Sequence, residues 1–580
     1  MRLIVATFMI GLIVAGSATA ADLTLDQFKQ YAASRLQGVD AARLTRLAAM
    51  VDKNSDGKIS QAEFADRMSA VQKILRPDTP EPTPPKPVKP AEPQSIVAVE
   101  TNHAGDATIL LITSDKLAKT WQRYADWKTQ NGKATRIATV GQIEKRYKAA
   151  SIQEKIRLCV RDHVENRGTR WVVLGGDCLS DGGGVVPGGH TTVHAQERAG
   201  IPTDIVFLSP TDWDADDDGI YGEWTDDRAA ITYPDGSIGL GRIPVRTADD
   251  VAAFTDKVIA YESRYPTSDF ATQMIYTCTE KHAYPKVRKS WDGYVSKVWG
   301  DGQVGRYFSA ETPWDKKDEP GSHPLSAENL VALINGGTIG KLHIHGHGFL
   351  SMWMLEGSRF TGKHVGQLKN EVAYPLITTV SCYTGQYDAA QDPSIVEAML
   401  RQPRGGSVAI VAPVRTGKPH FHQRSDFRLM MTEGKLDGTT QTMTRYWSGG
   451  LGDGLTTGQS LMKAKADMVP DARRTAGYHL CICELNLLGD PTLDMRAAVP
   501  RTPKLALPER IGTGSQTIEI RTDAPKCTVC LWKGKDLYQV ATADDEGTVE
   551  LQIDPKTKGD MLVTATGKNL NSVTKTVSVQ

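Results

Sequence analysis

Short apolar runs alternate with helical stretches from Thr108 to Ala412, and that alternation limits the folds open to the chain. Residues 108–113 read as a buried strand, 115–130 as a helix ended by Asn131-Gly132, and 133–140 as a second strand. Residues 151–166 read as a helix stopped at Gly168, with a strand at 170–174. A long loop-rich interruption runs from Gly176 to Ser237, and then the rhythm resumes. It gives helix 248–264, strand 274–278, helix 327–335, strands 341–345 and 376–380, helix 394–401 and strand 407–412. Strands separated by helices pair in parallel through crossovers, and the helices cover both faces of the sheet. The expectation is an α/β fold with mainly parallel sheets in two subdomains, 95–236 and 237–499.

The flanks differ in kind. Arg2, the apolar run Leu3–Val14 and Ala18-Thr-Ala20 have the form of an export signal, so residues 1–20 are expected to be cleaved and the protein secreted. Residues 21–76 are rich in Ala, Leu and charge and read as helical. Eight prolines between Pro77 and Pro93 make 77–94 an extended linker. Residues 500–580 carry six short alternating strands separated by turn residues, the pattern of a β-sandwich. Lys plus Arg and Asp plus Glu both number 68, which argues against a general electrostatic grip on nucleic acid. Beyond the export signal, no stretch reaches the roughly 18 apolar residues of a spanning helix. Eight cysteines in an exported chain make disulfides an option, and Cys527-x-x-Cys530 reads as a small disulfide or as thiols.

Two acidic motifs point to calcium. From Asp52 to Glu63, oxygen ligands stand at loop positions 1, 3, 5, 9 and 12 (Asp52, Asn54, Asp56, Ser60, Glu63), with the Lys58 carbonyl at position 7. Gly57 permits the sharp turn at position 6, and Ile59 suits a short pairing strand. Helical sequence flanks this loop, so it reads as an EF-hand without a complete second loop. The second motif has Asp214, Asp216 and Asp218 before Gly219, with Glu223 to close the site in place of a twelfth-position acid. Calcium is the expected cofactor at both, in a structural or regulatory role.

The third motif carries chemistry. His343-Ile-His345-Gly346-His347-Gly348 runs from a strand into a glycine turn, and Leu376–Val380 leads another strand into Ser381-Cys382-Tyr-Thr-Gly385. Parallel sheets gather functional groups at the C-terminal ends of their strands. If these strands are neighbours, an imidazole and a thiol face one crevice, as nucleophilic catalysis needs. The N–H groups of Gly348 and Cys382 are candidates to hold an oxyanion. The same residues allow a rival reading, a zinc hydrolase using His343, His345 and His347, which share one face of a strand.

The stretch from His345-Gly-His-Gly348 through Val380-Ser-Cys-Tyr-Thr-Gly385 resembles the gingipain-type cysteine peptidases, relatives of caspases and legumain. Further matching pieces follow in order: Val173-Leu-Gly-Gly-Asp177, Pro202-Thr-Asp204, Gly219-Ile-Tyr-Gly-Glu223, Gly241-Arg-Ile-Pro-Val245 and Leu487-Leu-Gly-Asp-Pro-Thr-Leu493. The resemblance implies a caspase-like arrangement of the two subdomains, with an immunoglobulin-like domain after them. It implies that Cys382 is the nucleophile of an endopeptidase and His347 the acid that protonates the leaving amine. Gly348 and Cys382 would hold the oxyanion, and proteins or peptides would be the substrates. Members that cleave after Arg or Lys place a carboxylate in the primary pocket, and Asp204 stands in the matching segment. The EF-hand segment could act as a pro-region. The non-enzymatic alternative is a calcium-dependent surface protein on a retired peptidase fold.

Overall fold

A computed structural model describes residues 23–24, 58–59, 107–178, 186–191, 200–278, 304–309, 322–355, 357–389, 393–417 and 438–580. The chain divides into two compact units, Met1–Pro93 and Gln94–Gln580. In the first, β1 (Leu23–Thr24) pairs antiparallel with β2 (Lys58–Ile59), so Ile59 is indeed in a short strand. The export signal, the linker and the calcium residues Asp52, Asn54, Asp56, Ser60 and Glu63 lie outside the described residues.

The second unit opens with β3 (Ile109–Thr113), α1 (Gln122–Gln130), β4 (Thr135–Thr139), α2 (Val140–Arg146), α3 (Ile152–Asn166) and β5 (Trp171–Gly175). The helix expected over 115–130 starts only at Gln122, after turns closed by Leu117 N–H on the Ser114 carbonyl and Thr120 N–H on the Leu117 carbonyl, and Asp115 serves another helix. Its carboxylate accepts Thr139 Oγ1–H at 2.6 Å and Gly141 N–H at 3.0 Å, supporting the start of α2. There, Thr139 and Gln142 also form a reciprocal cap. Among the described residues, the loop-rich interruption contains the short pair β6 (His190–Thr191) and β7 (Ile201–Pro202) and a 3₁₀ turn at Asp204–Leu208. Next come β8 (Gly239–Ile243), α4 (Ala248–Ser263), β9 (Met274–Cys278), β10 (Val304–Ser309), β11 (Ser322–Leu325), α5 (Ala327–Asn335) and β12 (Lys341–His345). A small antiparallel sheet follows: β13 (Gly348–Phe349), β14 (Met352–Met354) and β15 (Arg359–Thr361). Then come β16 (Leu376–Thr379), α6 (Ile395–Arg401), β17 (Ala409–Pro413), α7 (Gly438–Leu451), α8 (Thr457–Ala466), α9 (Ala476–Glu484) and β18 (Leu485–Gly489).

The two expected subdomains share one continuous eleven-stranded sheet, in the order β11-β10-β9-β12-β16-β17-β18-β8-β5-β3-β4. β18 makes the join, antiparallel to β17 over five residue pairs and meeting β8 at Leu488↔Arg242. The central strands β3, β8, β12, β16, β17 and β18 are buried along their whole length; β3 and β17 read as apolar runs, while β12 buries Lys341, His343 and His345 among its apolar residues. A single apolar core runs from Ile109 to Met495 through both halves.

Residues 505–579 form two more sheets: β19 (Leu505–Ala506), β21 (Gln516–Thr522) and β24 (Thr548–Ile553) in one, and β20 (Arg510–Ile511), β22 (Thr528–Lys533), β23 (Leu537–Thr542), β25 (Gly559–Thr566) and β26 (Val573–Val579) in the other. They enclose their own core, with Ile518, Ile520, Val529, Leu531, Val563 and Val577. The sandwich is tied to the α/β body by Asn571 Nδ2–H on the Tyr265 carbonyl (2.9 Å) and Ser572 N–H on the Glu262 carbonyl (2.8 Å). Cys527 and Cys530 form no disulfide. Cys527 belongs to the sandwich core, while the Cys530 thiol lies 3.5 Å from the Thr129 carbonyl in α1. No helix among the described residues is long and apolar enough to cross a membrane.

Candidate active site

β12 and β16 are parallel neighbours in a register that pairs Lys341 with Leu376 and Ile344 with Thr379. Val380 N–H donates to the Ile344 carbonyl at 3.1 Å and carries the pairing one step past the strand ends. The same offset brings the turn holding His347 alongside the turn holding Cys382. Contact between the turns is direct: a Cβ on Gly348 would lie 2.7 Å from Ser381 Cβ and 3.0 Å from the Cys382 carbonyl oxygen. Only a glycine fits there. His347 is exposed, and its carbonyl accepts Met354 N–H at 3.0 Å, which hangs the β13–β14 hairpin on this turn. Cys382 is half-buried, with Sγ 3.7 Å from the Gly417 carbonyl. The structure therefore brings together His347, Gly348 and Cys382, exposed imidazole and half-buried thiol at the C-terminal ends of adjacent strands.

The residue after the nucleophile candidate was not singled out by sequence. Tyr383 has φ 61°, a left-handed conformation that bulky residues rarely adopt. Its N–H donates to the Arg415 carbonyl at 2.7 Å, and its hydroxyl lies 3.1 Å from Thr416 Oγ1.

The three histidines do not converge. His343 and His345 are buried in β12, their rings 6.1 Å apart, while His347 stands in the turn beyond the strand. His343 Nδ1 shares a hydrogen bond with Thr378 Oγ1 (2.8 Å), which also accepts Trp447 Nε1–H (3.1 Å). Burial, with His347 nearby, pushes His345 down to about 4, so it is neutral. Among the described residues, the only set of three or more His, Cys, Asp or Glu whose ligand atoms gather within 4.8 Å is Asp214, Asp216 and Asp218. The ligand atoms of His343, His345 and His347 do not gather at one point in this structure, which speaks against the zinc reading.

Asp204 also differs from expectation. It is buried at the start of a short 3₁₀ turn, and both its oxygens are taken by Arg242 of β8, through Nε and Nη2 at 2.8 Å each. Arg242 Nη1 donates to the Gly176 and Val186 carbonyls, and Nη2 reaches the Pro187 carbonyl at 3.3 Å. Tyr387 lies against the guanidinium, 4.8 Å from its ring centre. Burial works against the charge on Arg242, but Asp204 outweighs it and raises its pKa. The carboxylate is thus already neutralised within the fold and does not present an open acid to a cationic side chain.

The acidic loop is built as a turn around its own carboxylates. Asp214 accepts the N–H groups of Asp218 and Gly219, both at 3.0 Å. Burial pushes Glu223 up to about 7, aided by Asp218, Asp226, Asp227 and Asp216. Asp227, which the spacing did not reveal, holds this loop by accepting Ala215 N–H and Glu223 N–H.

Comparison with known proteins bears on the family and the fold. Residues 102–496 match peptidase family C25. Gingipain R2 of Porphyromonas gingivalis is 23% identical over 481 residues, covering 81% of this chain and 57% of that protein. Gingipain R1 of the same organism is 22% identical over 479 residues, covering 81% of this chain and 42% of that one. The chain thus spans little more than half the length of gingipain R2 and less than half that of gingipain R1. The crystal structure of the Arg-specific cysteine proteinase gingipain R superimposes with a TM-score of 0.60 at 20% identity, over 82% of this chain and 98% of that one. The complex of the gingipain RgpB pro- and mature domains gives 0.59 at 19% identity, over 82% and 100%. The chain belongs to peptidase family C25.

Proposed function

We propose that the protein is a cysteine endopeptidase acting through Cys382 and His347. The observation that carries this reading is the register of β12 on β16, which sets an exposed imidazole and a half-buried thiol in contacting turns. In the proposed reaction the Cys382 thiolate attacks the scissile carbonyl carbon, and the oxyanion is held by the N–H groups of Gly348 and Cys382. Collapse of this adduct breaks the C–N bond as His347 donates a proton to the departing amine. Water then hydrolyses the thioester and regenerates the thiol. Substrates are proteins or peptides, and the pairing of Asp204 with Arg242 speaks against a preference for Arg or Lys before the cut.

Calcium is proposed at the Asp214 loop, whose three carboxylates converge within 4.8 Å and whose mutual repulsion a divalent cation would relieve. Asp214, Asp216 and Asp218 would hold it, with Glu223 at the edge. A second calcium is proposed in the loop from Asp52 to Glu63. The terminal β-sandwich is read as immunoglobulin-like, and residues 1–20 as an export signal that makes the protein secreted.

The test is cleavage of a fluorogenic peptide library in reductant and calcium by wild type and by Cys382→Ala. Loss of cleavage in the variant, with loss of labelling by a thiol-reactive peptidyl inhibitor, is expected. Cleavage that persists without Cys382 would end the proposal.

A further inference from the structure

The loop from Cys382 to Asp388 is fastened at both ends by one residue outside it. The carbonyl of Arg415 accepts the N–H of Tyr383, and its guanidinium reaches the other end of the same loop. There Nη1 donates to Asp388 Oδ1 at 2.8 Å and Nη2 to Oδ2 at 2.6 Å, a two-pronged fork. Arg415 Nε donates to the Gly200 carbonyl at 3.0 Å, and Nη1 also reaches the Val414 carbonyl at 2.9 Å. Between the two ends, Gly385 N–H donates to the Pro413 carbonyl at 2.9 Å. Arg415 is buried, and the Asp388 side chain is 14% exposed.

A structural role alone would need only the ion pair. Here the same residue also bonds the peptide unit that joins Cys382 to Tyr383, and Tyr383 is held at φ 61°. That conformation is sparsely populated and persists only where surrounding contacts enforce it. Release of the loop would let Tyr383 relax and would rotate the Cys382 peptide, moving both its N–H and its thiol.

We propose that Arg415 is a positioning residue for the nucleophile: its carbonyl and its fork to Asp388 hold the Cys382–Asp388 loop in the strained form that aims the thiol at the substrate. This rests on the cysteine-peptidase reading. Lysine at 415 keeps the charge but cannot span both Asp388 oxygens and the Gly200 carbonyl.

The test compares wild type, Arg415→Lys and Asp388→Asn by steady-state cleavage of one fluorogenic peptide. It also follows the pH profile of Cys382 carbamidomethylation by iodoacetamide, located by mass mapping. For Arg415→Lys we expect a cooperative melt, kcat lower by ten- to about a hundredfold, KM within about twofold, and a displaced alkylation profile. Asp388→Asn should fall in the same direction. A folded Arg415→Lys with wild-type kcat and alkylation profile would overturn the proposal, and if that variant does not fold, Asp388→Asn decides by the same criteria. A wild type that cleaves no peptide would count against the peptidase reading alone. The alkylation profiles need no turnover and still report whether the loop depends on Arg415.

Discussion

The face of Gly348 that would carry a side chain lies 3.0 Å from the carbonyl oxygen of Cys382, so the histidine turn and the nucleophile turn meet backbone to backbone. The nearest side-chain atoms, Thr384 Cγ2 at 2.6 Å and Ser381 Cβ at 2.7 Å, belong to short buried side chains that cannot swing away. Gly348→Ala must therefore push the two turns apart. A shift of the order of 1 Å at reacting groups costs about a hundredfold in rate. The expected outcome is a folded variant with kcat reduced by about that factor, checked by circular dichroism and steady-state kinetics. Unchanged kcat in Gly348→Ala would show that the turns are not the reacting pair.

Asp204 and Arg242 make a second prediction, about specificity. A buried carboxylate with both oxygens on one guanidinium has its charge already compensated and gains little from a substrate cation. Peptides with Arg or Lys before the scissile bond should show no advantage in kcat/KM over uncharged residues of similar size. An advantage of about a hundredfold for Arg would mean that the pair opens on substrate binding. Arg242→Met should destabilise the fold by about 3–5 kcal/mol, since it strands a buried charge.

Much of this was legible in sequence, for identifiable reasons. The strands at Ile109, Trp171, Met274 and Leu376 open on apolar runs bounded by turn or helix signals, and Lys341–His345 alternates in polarity, so their places could be read. Gly-His-Gly and Ser-Cys-Tyr stand at strand ends, where a parallel sheet presents its chemistry. β18 was missed because Leu485 follows Glu484 with no turn residue between helix and strand. With β18 unseen, the two halves read as separate sheets. Asp204 was misread because its partner lies 38 residues away and arrives only through β8. Arg415 and Asp388 carried no motif; only the packing of the loops makes them a unit.

The acidic loop predicts a calcium effect that depends on pH. Glu223, raised to about 7, binds its proton more tightly in the folded chain than in the unfolded one. Stability from that proton is present below about pH 4.3 and is lost as pH rises toward 7. Calcium replaces protons at the same oxygens, so it should raise Tm more at pH 7.5 than at pH 5. Asp216→Asn should shrink the calcium-induced shift at pH 7.5, whatever the EF-hand contributes. An unchanged shift in that variant would remove the loop as a calcium site.

Three buried lysines predict that stability rises just above neutrality. Lys257 Nζ donates to the Met399, Gln402 and Gly405 carbonyls around the end of α6, at 3.2, 3.2 and 3.1 Å, with no carboxylate partner among the described residues. Burial pushes it down to about 7, as it does Lys341 and Lys465. In the unfolded chain each keeps its proton to about pH 10.4. Between pH 7 and that value the unfolded state binds more protons, so stability climbs with pH. Buried thiols oppose this at higher pH: Cys159 is raised to about 12 and Cys178 to about 11 by burial, and unfolding lets each ionise near pH 8.5. From about pH 7 to 8 the three lysines outweigh the opposing loss at Glu223 and the onset of thiol ionisation. In urea titrations with chelator present, the free energy of unfolding should increase across that interval. Each lysine can supply at most about 1.4 kcal/mol per pH unit, so Lys257→Met should flatten the slope by up to that amount. A slope that is flat or falling in wild type, or unaltered in Lys257→Met, would show that Lys257 stays charged inside the fold, held by its three carbonyls against the cost of burial.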